Sequence, residues 1–282
     1  MAIVYDFDRT LSTSEMQDSF IKSLGMEPKE FWKENDEFSK ENGMDKNLAY
    51  MFLMKNKSMK QDKPFNRDIL EKLGSDIKFY KGVETWFDSI SEFALQHGVI
   101  VEHYVISSGL KEIIKGTSIA NKFKEIFASE YYYDQNGNPV WLKNLVNFTT
   151  KTQFLFRINK GALDISDDKA VNEFSYHDER RIPFENMIYI GDGTTDIPCM
   201  KIVKEYGGYS IGVYDSSKRT VKELMYYDRV THYCKADYSE NSELFNLISK
   251  IIQKVSFDSP LREQSRKMYK ESEKQMKSNS DK

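Results

Sequence analysis

The chain has very few cysteines: only Cys199 and Cys234 occur among its 282 residues. Two isolated cysteines imply neither a disulfide scaffold nor a zinc site, and they fit the reducing cytoplasm. No apolar run approaches the roughly 20 residues that span a bilayer, and the N-terminus lacks the basic and apolar regions of a signal peptide. We therefore expect a cytoplasmic protein that does not enter a membrane.

The chain also lacks a strong net charge. Its formal charge is −3 at pH 7, so no strong field attracts nucleic acid or a membrane surface, and we expect neither as a partner. Hydrophobic residues make up 39% and charged residues 30% of the chain, which is typical of a soluble protein with a real core. The length allows one large domain or a core with an inserted module. The oligomeric state is left open.

Two apolar runs end abruptly in acids. The first, residues 2–5, is followed by Asp6 and Asp8, and the second, residues 187–191, is followed by Asp192 and Asp196. Each run predicts a buried strand, and in an open α/β sheet ligands bind beyond the carboxyl ends of the strands. If the two strands are neighbours, four acids meet at one point. Acids packed so closely repel one another unless a cation holds them.

The segment between these runs begins with helical signals. Ser12 and Glu15 have the spacing of a capping box, which predicts a helix that starts near Thr13. Helical patterns continue to residue 78 without a strand signal. We therefore expect residues 12–78 to form a helical module inserted after the first strand.

From Gly82 onward, helix and strand signals alternate, which predicts a parallel sheet with helices on both faces. Asn136-Gly137 between aromatic-rich flanks predicts a β-hairpin over 129–148, inserted either to meet a second subunit or to border the cleft. The charged, Ser-rich and Lys-rich residues 259–282 predict a frayed or disordered tail. The expected core therefore comprises residues 1–11 and 79–258.

Four short motifs follow one another in a fixed order. They are Asp6-x-Asp8-x-Thr10, a strand that ends at Ser107, a helix opened by Lys151, and Gly191-Asp192-x-x-x-Asp196. Together they resemble the haloacid dehalogenase superfamily of phosphohydrolases, and the helical insert resembles the C1-type cap of its phosphoserine-phosphatase-like members. The resemblance implies a Rossmannoid α/β core with a cap. It also implies a Mg²⁺-dependent phosphatase that cleaves a small phosphorylated metabolite through an aspartyl-phosphate.

The acids fit this chemistry. A carboxylate can attack phosphorus, and Asp6 stands first at the strand end as the expected nucleophile. Asp8 can protonate the leaving oxygen and later activate water. The resemblance implies that Mg²⁺ is bound by the Asp6 carboxylate, the Asp8 backbone carbonyl and Asp192. Asp196 would bind the ion directly or through water, and it can also cap the following helix.

The phosphate is expected to meet the other motifs. Ser107 would donate to a phosphoryl oxygen, helped by the backbone N–H of Ser108 or Gly109, although a plain hydroxyl at the strand end is an alternative for Ser107. Lys151 would place positive charge near the equatorial oxygens. Lys160 is the alternative lysine, but a residue at the N-terminus of a helix near the strand ends is better placed.

One position departs from the pattern of the superfamily. Many members have glycine directly after the second aspartate, where this chain has Arg9, which either contacts the substrate or forms a surface ion pair. Three alternative functions stay open: a phosphotransferase with the same mechanism, a protein phosphatase, and a non-catalytic binding protein with this fold. The helical cap disfavours the second and the complete set of motifs disfavours the third.

Overall fold

The computed structural model describes residues 1–174 and 180–280. The strands are β1 (Ala2–Tyr5), β2 (Glu102–Leu110), β3 (Glu125–Tyr133), β4 (Pro139–Asn144), β5 (Met187–Gly191), β6 (Tyr209–Tyr214) and β7 (His232–Lys235). They form a seven-stranded sheet in the order β4-β3-β2-β1-β5-β6-β7. All neighbours are parallel except β3 and β4.

The described helices lie between and beyond these strands. They are α1 (Asp18–Ser23), α2 (Pro28–Asn42), α3 (Lys46–Lys60), α4 (Arg67–Leu73), α5 (Val83–Gln96), α6 (Lys111–Lys115), α7 (Lys151–Lys160), α8 (Asp168–Asn172), α9 (Ile197–Glu205), α10 (Arg219–Tyr226) and α11 (Glu243–Ser280). Among the described residues, no helix is both long and apolar enough to cross a membrane.

The first strand lies at the centre of the sheet. All four residues of β1 are buried, as expected for a parallel strand covered on both faces. Tyr5 is in register with Val105 of β2 on one side and with Ile190 of β5 on the other. Two apolar clusters pack against the opposite faces of the sheet. The predicted fold class, a parallel α/β sheet with helices on both faces, is therefore confirmed.

The helical segment starts later than the capping box predicts. The first helix begins at Asp18, and Ser12 Oγ donates to the backbone oxygen of Ser14 instead of capping a helix. Ser12 also forms a β-bridge with Phe79, which brings the two ends of the segment together. The prediction of a helix that starts near Thr13 is therefore wrong, because Ser12 lies in the β-bridge with Phe79 and not at a helix start.

The predicted hairpin is present, and it contacts the helical segment. The backbone oxygens of Val146, Pro139 and Gly137 accept from Asn47 Nδ2 (2.9 Å), Lys55 Nζ (2.7 Å) and Arg67 N (3.0 Å), respectively. Two more bonds join Asn147 Nδ2 to Asp45 Oδ2 (3.1 Å) and Tyr131 OH to Met51 O (2.7 Å). Among the described residues, these five bonds attach the hairpin to α3, α4 and the N-cap of α3.

The expectation of a frayed or disordered tail over 259–282 is wrong up to residue 280. Helix α11 continues to Ser280, with Pro260 inside it. This stretch contains no glycine and is rich in Arg, Lys, Glu and Gln, which favour helix. Glu263 and Lys267 also form an i,i+4 ion pair of 3.0 Å. Residues 281–282 of this tail lie outside the described residues.

Candidate active site

Three carboxylates meet where β1 and β5 end. The backbone N–H of Asp6 donates to Ile190 O at 2.9 Å, which continues the pairing of the two strands by one residue. Carboxylate oxygens of Asp6, Asp192 and Asp196 all lie within 4.8 Å of one another. We call these three residues the acidic cluster. Three of the four acids that the sequence places at the strand ends therefore meet there, and Asp8 lies outside the acidic cluster.

A buried lysine reaches into the acidic cluster. Lys151 is the first residue of α7 and is only 1% exposed. Its Nζ donates to Asp6 Oδ1 at 2.6 Å and to Asp196 Oδ1 at 2.7 Å. Lys160, at the other end of the helix, donates instead to the backbone oxygens of Val171 and Glu173. Of the two candidate lysines, only Lys151 contacts the acids.

The acidic cluster holds more negative charge than one lysine balances. Burial and the charge of Asp196 raise the pKa of Asp6 to about 7, although Lys151 opposes the rise. Burial, followed by the charges of Asp6 and Asp196, raises the pKa of Asp192 to about 8. For Lys151, burial alone would lower the pKa, but the two acids outweigh it and raise the pKa. A further cation would relieve this excess of negative charge.

The donor set fits a divalent metal ion. Among the described residues, none forms a hydrogen bond or ion pair with the Asp192 carboxylate, although this group lines a cavity. Carboxylate oxygens are hard ligands of the kind that Mg²⁺ prefers. Asp6, Asp192 and Asp196 are therefore suited to hold Mg²⁺. The backbone carbonyl of Asp8 as a further ligand stays a prediction.

Asp8 is held beside the same cavity. Its Oδ1 accepts from the backbone N–H of Met16 at 2.8 Å. Burial, followed by the charges of Glu15 and Asp6, raises the pKa of Asp8. A Cβ added at Gly109 would lie 2.3 Å from Met16 Cε and 3.3 Å from Asp8 Oδ2. A side chain at position 109 would therefore first displace the end of Met16 and would also crowd the Asp8 carboxylate.

The end of β2 supplies the serines. Ser107 is buried, and its Oγ accepts from the backbone N–H of Gly109 at 3.0 Å, so the Ser107 hydroxyl proton remains able to donate. Because the Gly109 N–H is engaged in this way, it is a weaker candidate for the phosphate than the sequence suggests. The backbone oxygen of Ser108 accepts from Tyr50 OH at 2.8 Å.

Several residues of the site are not apparent in the sequence pattern. Tyr189 OH donates to Asp196 Oδ1 at 2.7 Å, yet Tyr189 looks like any other residue of an apolar strand. A Cβ at Gly191 would lie 2.4 Å from Asp196 Oδ2, so glycine is needed there. The glycine before an acid at a strand end is the one signal that could have indicated this close packing.

Arg9 forms the ion pair that the sequence leaves as one alternative. Its Nε lies 3.0 Å from Glu15 Oε1, and both side chains line the cavity. Arg9 has a φ of 55°, a left-handed conformation that favours glycine. This explains why glycine suits the position. Glu15, which the sequence suggests as a helix-capping residue, instead pairs with Arg9 at the cavity wall.

The cavity above the acidic cluster has a volume of about 650 Å³. The strand ends and α7 contribute most of the predicted site residues to its lining: Asp6, Asp8, Ser107, Ser108, Gly109, Lys151 and Asp192. Asp196 lies beneath the lining and is fully buried. The opposite wall comes from the helical segment and includes Gln17, Asp18, Trp32 and Tyr50.

Comparison with known proteins identifies the family. The model of the haloacid dehalogenase-like hydrolases matches residues 3–201. The chain belongs to this family. An uncharacterized protein from Borreliella burgdorferi is 28% identical, over 88% of this chain and 95% of its own length. The predicted family and the enzyme class, a hydrolase, are confirmed.

Solved structures agree with this haloacid dehalogenase-like hydrolase in fold. A HAD family hydrolase from Salmonella enterica serovar Typhi matches with a TM-score of 0.57 at 17% identity, over 89% of this chain and 70% of its own. An apo phosphoserine phosphatase matches with a TM-score of 0.54, also at 17% identity, over 88% of this chain and 96% of its own. These likenesses concern the fold, and they agree with the expected HAD-like core.

Proposed function

We propose that this hydrolase is a Mg²⁺-dependent phosphatase that cleaves a small phosphorylated metabolite through an aspartyl-phosphate on Asp6. One observation carries the proposal. Asp6 lies beside a cavity, with Oδ1 only 2.6 Å from Lys151 Nζ and with Asp192 and Asp196 carboxylates within 4.8 Å. A carboxylate placed between a fixed cation and a metal-binding group of acids is suited to attack an anionic phosphate.

The residues divide the chemistry between them. Asp6 Oδ2, which Lys151 does not engage, attacks phosphorus as the bond to the substrate alcohol breaks. Asp8 gives its proton to the leaving oxygen and then takes a proton from the water that cleaves the aspartyl-phosphate. Lys151 and Ser107 donate to the phosphoryl oxygens. The products are the alcohol, inorganic phosphate and the regenerated Asp6.

Mg²⁺ would be held by Asp6, Asp192 and Asp196. Bound there, the ion would supply positive charge that offsets repulsion between Asp6 and the phosphate. In this proposal, residues 12–78 act as a C1-type cap on a core of residues 1–11 and 79–258 and exclude water while the phosphoryl group is transferred. The cytoplasmic location stays a prediction from the two cysteines.

The test is turnover of p-nitrophenyl phosphate and a panel of phosphometabolites by the purified full chain, with Mg²⁺ or with EDTA. We expect phosphate release with Mg²⁺, loss with EDTA, and a fall of at least about 10³-fold in kcat for Asp6→Asn. Circular dichroism should show that the variant keeps its fold.

Residual Asp6→Asn activity above a few per cent would show that Asp6 is not the nucleophile. Transfer of the phosphate to an added alcohol would favour the phosphotransferase alternative. No turnover of any substrate with Mg²⁺ would favour a non-catalytic binding protein.

A further inference from the structure

The sheet ends in an open strand edge at β7. This strand pairs with β6 on one side, and no strand of the described residues pairs with it on the other. An open edge presents backbone N–H and C=O groups that can pair with another chain. At the opposite edge, β4 begins with Pro139, which has no N–H to donate and whose oxygen already accepts from Lys55. Of the two edges, β7 is therefore better suited to pairing.

A groove of about 470 Å³ runs beside β7. Its floor comes from the strand itself, including Tyr233 and Cys234, and one end comes from Met225 of α10. The remaining wall is the first two turns of α11, residues 243–250. None of these residues lines the active-site cavity. The groove is therefore a separate surface, in which a strand edge and a helix lie side by side.

Helix α11 presents one stripe of side chains to this groove. The stripe consists of Glu243, Asn246, Leu247 and Lys250, whose spacing of i, i+3, i+4 and i+7 places them on one helical face. Glu243 and Lys250 are both exposed, and neither forms an ion pair with a described residue. The stripe therefore has an acid at one end and a base at the other, both free to pair across an interface.

This stripe is complementary to a second copy of itself. A two-fold axis between Asn246 and Leu247 would set two α11 helices antiparallel. Glu243 lies as many residues before that axis as Lys250 lies after it, so each Glu243 would face Lys250 of the other copy. Two-fold interfaces use the same patch on both subunits in this way. Because the stripe and the strand line one groove, the same axis sets the two β7 edges side by side and antiparallel, a direction in which strands pair.

Apolar side chains lie between the charged ends of the groove. Leu247 and Tyr233 are half-buried in its lining, and Met225 is 36% exposed. Directly after α10, Tyr227 is 65% exposed. Tyrosine and methionine are enriched in protein–protein interfaces, where apolar groups lie inside a polar rim. The composition of the groove is therefore that of a contact surface between proteins.

We propose that the groove beside β7 is the interface of a homodimer, in which two copies of this chain pair α11 with α11 and β7 with β7 about a two-fold axis. The occupant of the groove is a second copy, because the positions of Glu243 and Lys250 match each other under that symmetry. The proposal does not depend on the phosphatase function. Since the active-site cavity shares no lining residue with the groove, the dimer leaves that cavity uncovered at its strand-end and helical walls.

The experiment is a charge exchange followed by sedimentation velocity on the full chain. At about 100 μM, far above a micromolar Kd, the wild type should sediment as two chains. Glu243→Lys and Lys250→Glu each place like charges opposite one another, so each alone should raise the Kd at least about tenfold. An equal mixture of the two variants brings opposite charges together again and should form heterodimers with a Kd within about threefold of the wild type. Glu41→Lys, at an exposed acid outside the groove, should leave the Kd unchanged.

A wild-type protein that is monomeric at this concentration would overturn the proposal. Dimers of Glu243→Lys or Lys250→Glu as tight as those of the wild type would also overturn it, since the interface would then lie elsewhere. Recovery in the mixture excludes misfolding as the cause of dissociation, because a misfolded chain would not regain a partner. A mixture that stays monomeric while circular dichroism shows both variants folded would contradict the pairing of Glu243 with Lys250.

Discussion

The wall that the strand ends build and the wall that the helical segment builds differ in how their polar atoms are partnered. At the strand ends, Asp6 and Asp196 accept from Lys151, and Asp196 also accepts from Tyr189. On the helical wall, no donor among the described residues lies within good hydrogen-bond geometry of the buried Gln17 Oε1 and Asp18 Oδ1. The first wall is preorganised by its own hydrogen bonds, as chemistry requires. The second contains buried acceptor oxygens that bonds of this kind leave unsatisfied.

The largest effect is expected from a substitution that disrupts the hydrogen bonds of the strand-end wall. Lys151→Gln leaves Asp6 and Asp196 buried without their cation, so the free energy of unfolding should fall by about 3 to 5 kcal/mol. Urea denaturation measures the change. Lys160→Gln is the matched control, because the bonds of Lys160 within the described residues go to backbone oxygens of Val171 and Glu173, and it should cost less than about 1.5 kcal/mol. Equal costs for the two variants would contradict the assignment of Lys151 to the acidic cluster.

The next effect concerns the Asp192 carboxylate, which forms no hydrogen bond or ion pair with the described residues. Mg²⁺ at about 100 times its Kd should raise the free energy of unfolding by about 2.7 kcal/mol. Asp192→Asn should lose most of this stabilisation, while the exposed Asp62→Asn should keep it. Thermal unfolding with Mg²⁺ and with EDTA measures the shift. The metal site would be wrong if Mg²⁺ stabilised the protein and Asp192→Asn to the same extent.

A smaller effect is expected for a single hydrogen bond. Tyr189→Phe removes the donor at 2.7 Å from Asp196 Oδ1, and the free energy of unfolding should fall by about 1 to 3 kcal/mol. Tyr226→Phe is the control, since Tyr226 is 81% exposed, and it should stay within about 0.5 kcal/mol of the wild type. A Tyr189→Phe protein as stable as the wild type would show that the bond contributes nothing.

The smallest effect has the opposite sign and concerns the helical wall. Gln17→Met replaces the amide by an apolar group of similar length, which removes the cost of the buried Oε1 without a partner. We expect stability to be unchanged or raised by up to about 1 kcal/mol, as urea denaturation would show. A loss above about 2 kcal/mol would mean that Gln17 has a structural partner, and the contrast between the two walls would disappear.

The sequence indicates the strand-end wall far better than the helical wall. Asp6 and Asp192 follow apolar runs, and the alternation of elements makes those runs parallel strands, so their meeting is a consequence of topology. Lys151 follows from the same reasoning, because it opens a helix near those strand ends. Such features depend on local pattern and on a rule that holds for every open parallel sheet.

The remaining features depend on tertiary contacts that no local pattern carries. Glu15 has the spacing of a capping residue, but it pairs with Arg9 at 3.0 Å. Tyr189 and Gln17 look like ordinary residues of a strand and a helix start until their neighbours are known. The prediction of a disordered tail over 259–282 failed for a different reason. Charged residues are common both in helices and in disordered segments, and composition alone does not separate the two.

The five hydrogen bonds between the hairpin and the helical segment constrain how the cavity can open. Four of them hold α3, its N-cap and the start of α4 to β4 and its flanking loops. The fifth joins α3 to Tyr131 of β3, which is hydrogen-bonded to β2 within the sheet. An outward movement of α3 by itself would therefore break these hydrogen bonds. The alternative is that the hairpin moves together with α3. The pairing of β3 with β2 then limits how far the two can move. Ligand entry is in this way mechanically coupled to the edge of the sheet.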